Sequence, residues 1–296
     1  MSHSGFVSVV GRPNVGKSTL INRVVGQKVA IVTPRPQTTR NRILAVANTS
    51  RGQIVFFDTP GIHKPQHQMN RLMVKSAVSS LSRVDLVALM IDITQSFGGG
   101  DRYVLELMKK VRVPLFLVIN KVDQVPKTDV LPVIENYRKS HDFTEIVPIS
   151  ALTGDNVDRL VELFEQHLPD GPPLFPEDTL TDQPERFFAS EIVREKIILF
   201  VREEVPYATA VRIDSWEDGE ELIRIEASIL VERDSQKGIL VGKQGSMLKK
   251  IGSSARVDLE QFLNTHVYLG LHVKVREHWR ENHRMLSELG MDPPRK

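Results

Sequence analysis

One octapeptide restricts the fold more than any other part of the chain. Gly11-Arg12-Pro13-Asn14-Val15-Gly16-Lys17-Ser18 has the spacing GxxxxGK[ST]. It follows the apolar run 6–10 and precedes Thr19, Leu20, Ile21 and Val24, which open a helical pattern. A glycine-rich turn between a strand and a helix is a cradle for phosphate. Gly11 and Gly16 let the backbone wrap an anion without a Cβ clash. The successive N–H groups of Val15, Gly16, Lys17, Ser18 and Thr19 then face that anion at a helix N-terminus. Lys17 reaches the outer phosphates, and Ser18 offers a hydroxyl to Mg²⁺.

The rest of the first half fits such a loop. Residues 6–10, 43–47, 54–58, 84–92, 114–120 and 146–150 read as strands, with amphipathic stretches such as 105–111 and 157–164 among them. Strands alternating with helices predict a mainly parallel α/β sheet covered on both faces. The short link through Asn48, Ser50 and Gly52 predicts one antiparallel hairpin.

Three further motifs stand at predicted strand ends. Asp58-Thr59-Pro60-Gly61 ends the third strand. Asp58 there can hold Mg²⁺ through water, and the Gly61 N–H can meet a γ-phosphate. Asn120-Lys121-Val122-Asp123 follows the fifth strand. The Asp123 carboxylate can accept from the N1–H and the exocyclic amine of guanine, a donor pair that adenine lacks. Lys121 can lie over the base plane. Ser150-Ala151-Leu152 follows the last strand and can offer a backbone N–H to the guanine oxygen.

These motifs, in this order, resemble four of the five sequence boxes of the translation-factor-related GTPases. The remaining box supplies a threonine between the first helix and the second strand, where Pro36-Gln37-Thr38-Thr39-Arg40 lies. The resemblance implies Thr39 as the Mg²⁺ ligand, with Thr38 as the alternative. It also implies that Lys17, Thr39 and Gly61 serve catalysis. Ile62 stands where Ras-like proteins carry a water-orienting glutamine. With Asn14, this feature resembles the TrmE–Era–Der class. In relatives with this asparagine it helps bind K⁺ beside the phosphates; bracing the loop is the other reading for Asn14.

Residues 169–185 hold five prolines and five acidic residues, a composition that breaks helices and strands and reads as a linker. Beyond it, 187–205 and 246–263 read as helices, and 210–216, 222–231 and 267–275 as strands. That order, α-β-β-α-β, describes a small α+β domain. Residues 1–175 carry net +6, 176–235 net −9 and 236–296 net +5, so the last segment is basic. A basic face is a footprint for nucleic acid, although a solvated surface is the commoner meaning of charge alone.

Within the basic segment, Gly242-Lys243-Gln244-Gly245 has the GXXG spacing of a KH loop, which clamps the backbone of single-stranded RNA. Lys249, Lys250 and Arg256 add charge nearby, and a helix containing Trp279 is expected after the last strand.

The expected architecture is therefore an α/β P-loop GTPase domain over 1–168, a linker over 169–185 and a type II KH domain over 186–296. One G domain followed by a linker and a terminal KH domain resembles the Era branch of the class. This implies a GTP-hydrolysing switch that binds the 3′ end of 16S rRNA and assists small (30S) subunit biogenesis. It further implies a monomeric, cytoplasmic protein without a DNA partner, in peripheral contact with the inner membrane. Its cofactors would be Mg²⁺ and K⁺, with GTP as substrate.

Three other readings fit less well. A pure RNA-binding module would not need Lys17, Ser18, Asp58 and Asp123. A small-molecule P-loop kinase would not need the Asn120–Asp123 motif or a KH domain. A tRNA-modifying GTPase of the same class carries other appended domains and often a C-terminal cysteine. The chain contains no cysteine, which excludes disulfides, thiolate metal sites and a cysteine nucleophile. It has no uninterrupted apolar run of membrane-spanning length and no secretory signal pattern.

Overall fold

The computed structural model describes residues 2–291, so the end of the expected last domain, 292–296, lies outside the described residues. The chain divides into two compact units, the first comprising residues up to 182 apart from 67–69, the second beginning at Gln183.

The first unit runs β1 (His3–Gly11), α1 (Lys17–Val25), β2 (Ile43–Thr49), β3 (Gly52–Asp58), α2 (Gln68–Ser79), β4 (Leu86–Asp92), α3 (Gly99–Met108), β5 (Leu115–Asn120), α4 (Val130–Arg138), β6 (Glu145–Pro148) and α5 (Val157–His167). The sheet order is β2-β3-β1-β4-β5-β6. Only the β2–β3 pair is antiparallel; β1, β3, β4, β5 and β6 run parallel. A strand turns alternate residues to opposite faces. In β3, Ile54 and Phe56 therefore join Leu20, Ile21, Leu160 and Phe164 of α1 and α5 in one core. Val55 and Phe57 join Val104, Met108 and Tyr137 of α3 and α4 in the other. This double burial explains why the parallel strands read as continuous apolar runs. It also brings the C-terminal ends of β1, β3, β4, β5 and β6 to one rim, where an open α/β sheet binds ligands.

Residues 169–182 of the expected linker 169–185 pack on this unit. Val46 N–H donates to Leu180 O at 2.9 Å, and Ala45 bridges Thr181 antiparallel. Buried Gln53 accepts from the N–H groups of Leu174 and Phe175 at 2.9 and 2.8 Å and donates to Phe175 O at 3.0 Å. Proline breaks regular structure, but Leu174 and Phe175 keep backbone N–H and C=O groups that one buried amide can pair.

The second unit runs α6 (Glu185–Phe200), β7 (Ala210–Glu217), β8 (Leu222–Val231), α7 (Asp234–Val241), α8 (Ser246–Leu263), β9 (His266–Val275) and α9 (His283–Glu288). Its sheet order is β7-β8-β9, with β7–β8 antiparallel and β8–β9 parallel. Ile225, Ala227 and Ile229 of β8 pack with Val193 and Ile197 of α6, Leu240 of α7, and Ile251, Ala255 and Leu259 of α8.

Two details differ from expectation. The order is α-β-β-α-α-β-α: α7 occupies residues 234–241, between the expected strand 222–231 and helix 246–263, so the GXXG loop joins two helices. Eight residues with Gly238 inside show too little apolar period to be read as a helix. The first turn of α7 is held by Gln236, whose Oε1 accepts from the N–H groups of Glu232 and Arg233 at 2.9 and 3.2 Å. Trp279 lies not in an α-helix but in a 3₁₀ turn over Trp279–Glu281. It is fully buried, and its indole N–H donates to Ala208 O at 2.9 Å.

Candidate nucleotide site and RNA-binding loop

The phosphate loop leaves β1 at Gly11 and enters α1 at Lys17. Gly16 has φ +102°, and a Cβ there would stand 2.2 Å from Asn120 Nδ2. Gly61 has no positive φ, but a Cβ would stand 2.7 Å from Pro13 N, so the DTPG turn packs directly on the phosphate loop. Lys17 is buried, and its ammonium donates to Arg12 O at 3.2 Å. Burial lowers it to about 8, against the opposing pull of Asp58.

Ser18 Oγ donates to Asp58 Oδ2 at 2.7 Å. Thr39 Oγ1 lies 3.0 Å from Ser18 Oγ and donates to the same carboxylate oxygen at 3.3 Å. Burial pushes the Asp58 carboxyl above its ordinary range, while Lys17, Ser18, Thr39 and the Thr59 backbone pull it down. Asp58 Oδ1 is buried without a hydrogen-bond partner. Two hydroxyls and an unsatisfied carboxylate oxygen form a hard-oxygen donor set that fits hydrated Mg²⁺. Of the two candidate threonines only Thr39 is placed here. Thr38 Oγ1 lies 2.6 Å from Thr33 Oγ1 and donates to Arg35 O at 2.8 Å.

Asn14 adopts φ +64°, and its Nδ2 donates to Pro34 O at 2.9 Å, bracing the segment that carries Thr39. Ile62 is buried; its N–H donates to Gly11 O at 2.9 Å, and its side chain has no polar atom.

At the other end of the site, Asn120 lines the cavity and joins two loops. Its Nδ2 donates to Val15 O at 2.7 Å, and its Oδ1 accepts from the Ala151 N–H at 2.8 Å. It therefore fastens the phosphate loop and the Ser150–Ala151–Leu152 loop to the end of β5. Lys121 donates from Nζ to Asp92 Oδ2 at 2.5 Å, which tethers its head beside the base region. Asp123 sits exposed on a 3₁₀ turn, and its carboxylate meets no described side chain or backbone donor. Ser150 is buried, and its Oγ accepts from the Thr153 N–H at 3.1 Å. A cavity of about 550 Å³ joins Gly16, Lys17 and Ser18 at one end to Asp123 and Leu152 at the other. That volume is in the range of small-molecule sites.

Sequence reasoning missed three supports. Asn22 Oδ1 accepts from the N–H groups of Val29 and Ala30 at 2.9 and 3.0 Å. Asp92 holds Lys121, and Arg23 holds the Ala151–Leu152 loop. Adjacency of strand ends marks Asp92; nothing local marks the other two.

In the second unit, Lys243 and Gln244 are exposed, and their side chains engage no described residue. Gly242 and Gly245 have φ +70° and +79°, and Gln244 has φ +51°. Gly245 caps the N-terminus of the 18-residue α8, whose dipole favours an anion there. Lys249, Lys250 and Arg256 are exposed on α8, and Lys250 places Nζ 4.3 Å from the Phe200 ring centroid.

Comparison with known proteins covers both units. A family described as 50S ribosome-binding GTPase matches residues 6–121, and the KH domain family matches 204–280. The chain is 54% identical over 289 residues to the GTPase Era of Geobacter metallireducens, across 97% of each chain. It is 48% identical over 288 residues to the GTPase Era of Staphylococcus haemolyticus, across 97% of this chain and 96% of that one. A crystal structure of an Aquifex aeolicus Era variant bound to GDP.AlF4⁻ matches with TM-score 0.94 and 44% identity, over 98% of this chain and 99% of that one. A crystal structure of Era in complex with MgGDPNP and nucleotides 1506–1542 of 16S ribosomal RNA matches with TM-score 0.95 and 43% identity, over 98% and 99%. The cavity lined by the phosphate loop, Ser18, Thr39 and Asp123, the KH family match over 204–280 and this likeness over nearly the whole chain agree: the chain belongs to the Era family of GTPases.

Proposed function

We propose that the protein is a GTP-hydrolysing switch whose KH unit holds the 3′ end of 16S rRNA during small-subunit biogenesis, hydrolysis setting how tightly the RNA is held. The observation that carries this reading is one cavity with Lys17, Ser18 and Gly61 at its phosphate end and the free Asp123 carboxylate at its base end. The solved Era complex with MgGDPNP and 16S RNA supports the choice of RNA and metal.

Ser18 and Thr39 would hold Mg²⁺ directly and Asp58 through water; when bound, the ion neutralises charge on the β- and γ-phosphate oxygens. Lys17 adds a positive charge to the same oxygens, and the α1 N-terminus and the Gly61 N–H stabilise charge that develops during transfer. Asp123 selects guanine. Ile62 orients no water, so unaided turnover is slow.

Two finer elements belong to the same proposal. Asn14 commits its Nδ2 to Pro34, which supports the bracing role and leaves Oδ1 for K⁺ beside the phosphates. Peripheral membrane contact would be made at the lipid surface, since no helix among the described residues is long and apolar enough to cross a membrane. Phosphate release from GTP, measured in K⁺ and Na⁺ at equal ionic strength, tests the enzyme and the ion together. Turnover should rise about tenfold in K⁺, corresponding to about 1.4 kcal/mol in the barrier. Equal rates would remove the K⁺ role; no release in either salt would remove the GTPase reading.

A further inference from the structure

We infer that Arg23 is a positioning residue for base recognition: it aims the Leu152 N–H, rather than that of Ala151, at the C6 oxygen of guanine. The inference rests on the GTP reading of the cavity.

The peptide donors of the loop are mostly taken. The Ser150 N–H donates to Asp155 O at 3.0 Å, the Ala151 N–H to Asn120 Oδ1 at 2.8 Å, and the Thr153 N–H to Ser150 Oγ at 3.1 Å. The Leu152 N–H meets no acceptor among the described residues. Leu152 is 67% exposed and lines the cavity.

Arg23 reaches this loop from the last turn of α1. Its Nε donates to Ala151 O at 2.7 Å, and its Nη2 donates to Leu152 O. A trans peptide points its C=O and N–H in opposite directions. Drawing Ala151 O onto the guanidinium therefore turns the Leu152 N–H to the far side. Arg23 does not line the cavity, whereas Leu152, Asn120, Lys121 and Asp123 do, so the far side is the cavity side. The rigid guanidinium fork holds two successive carbonyls at once, which a flexible ammonium does less well. Space is reserved for it: a Cβ on Gly154 would stand 2.8 Å from Arg23 Nη1.

The arrangement complements guanine on two edges. Asp123 accepts from N1–H and the exocyclic amine, and the Leu152 N–H donates to the oxygen at C6. Adenine carries an amine at C6, so donor would face donor there. The two groups together therefore reject adenine, and each acts on a different atom of the base.

The test uses two analogues. 6-Thio-GTP keeps both donors for Asp123 but replaces the C6 oxygen by sulfur, a weak acceptor. ITP keeps the C6 oxygen and N1–H but lacks the amine. Affinities for GTP, 6-thio-GTP and ITP are measured by displacement of a fluorescent GDP analogue from the full chain and from Arg23→Ala and Arg23→Lys, with circular dichroism as the folding control. The wild type should bind 6-thio-GTP about tenfold more weakly than GTP. Arg23→Ala should reduce that penalty to less than about threefold while leaving the ITP penalty unchanged, and Arg23→Lys should restore part of it. Wild-type indifference to sulfur, an undiminished penalty in Arg23→Ala, or equal shrinkage of both penalties would overturn the inference. A wild type that binds no guanine nucleotide would instead overturn the GTP reading beneath it.

Discussion

Asp123→Asn should weaken GTP binding about 30- to 1,000-fold and shift preference toward XTP. The carboxylate accepts two charge-assisted hydrogen bonds from guanine, and their loss costs about 2–4 kcal/mol. The asparagine amide would place a donor against the exocyclic amine of guanine. Xanthine carries an oxygen at that position and would accept from it. The fold should be untouched, because Asp123 is exposed and pairs with no described residue. Calorimetric titration of the variant with GTP and with XTP reads both effects. Unchanged GTP affinity would mean that the Asn120–Asp123 motif does not read the base.

The double variant Lys243→Asp with Gln244→Asp should abolish RNA binding while GTP hydrolysis by the protein alone survives. Two carboxylates would stand where phosphates are expected, each costing about 1 kcal/mol or more beyond the lost Lys243 attraction. Together these exceed about 3 kcal/mol, more than a hundredfold in affinity. The salt dependence should also weaken, since fewer counterions are released. The loop tolerates the change: both side chains are exposed, and Gln244 already holds φ +51°, where aspartate is more at ease than glutamine. Lys17, Ser18 and Asp58 belong to the other unit and are unaltered. Filter binding to a 16S 3′-end RNA checks this. Wild-type affinity with a folded circular dichroism spectrum would remove the loop from the RNA site.

What could be read from the chain divides along physical lines. The phosphate loop was legible because its chemistry needs fixed residue types at fixed local spacing. The strands were legible because burial on two faces makes continuous apolar runs, and α8 because eighteen residues show a helical period clearly. The helix α7 was not, because eight residues around Gly238 give little period. Burial of Trp279 against Ala208 is a contact over 71 positions, and no local pattern announces it. The docking of 169–182 depends on Gln53, more than a hundred positions away. The same limit governs the site. Gly16, Lys17, Ser18 and Asp58 could be named because they act through their own motifs. The choice between Thr38 and Thr39 required knowing which hydroxyl reaches Asp58. Asn120 lines the cavity where its motif places it, but its joining of Val15 to Ala151 is not announced by the motif. Arg23 has no motif, since its partners are backbone carbonyls about 130 positions further on.

The central claim is that the nucleotide state sets how tightly the RNA is held. Fluorescence anisotropy of a labelled 16S 3′-end RNA, titrated with the full chain in Mg²⁺ and either GDPNP or GDP, tests it most directly. The proposed switch predicts tighter binding with GDPNP, by at least about tenfold, which corresponds to a coupling free energy of about 1.4 kcal/mol. Equal affinity in the two nucleotide states would contradict it.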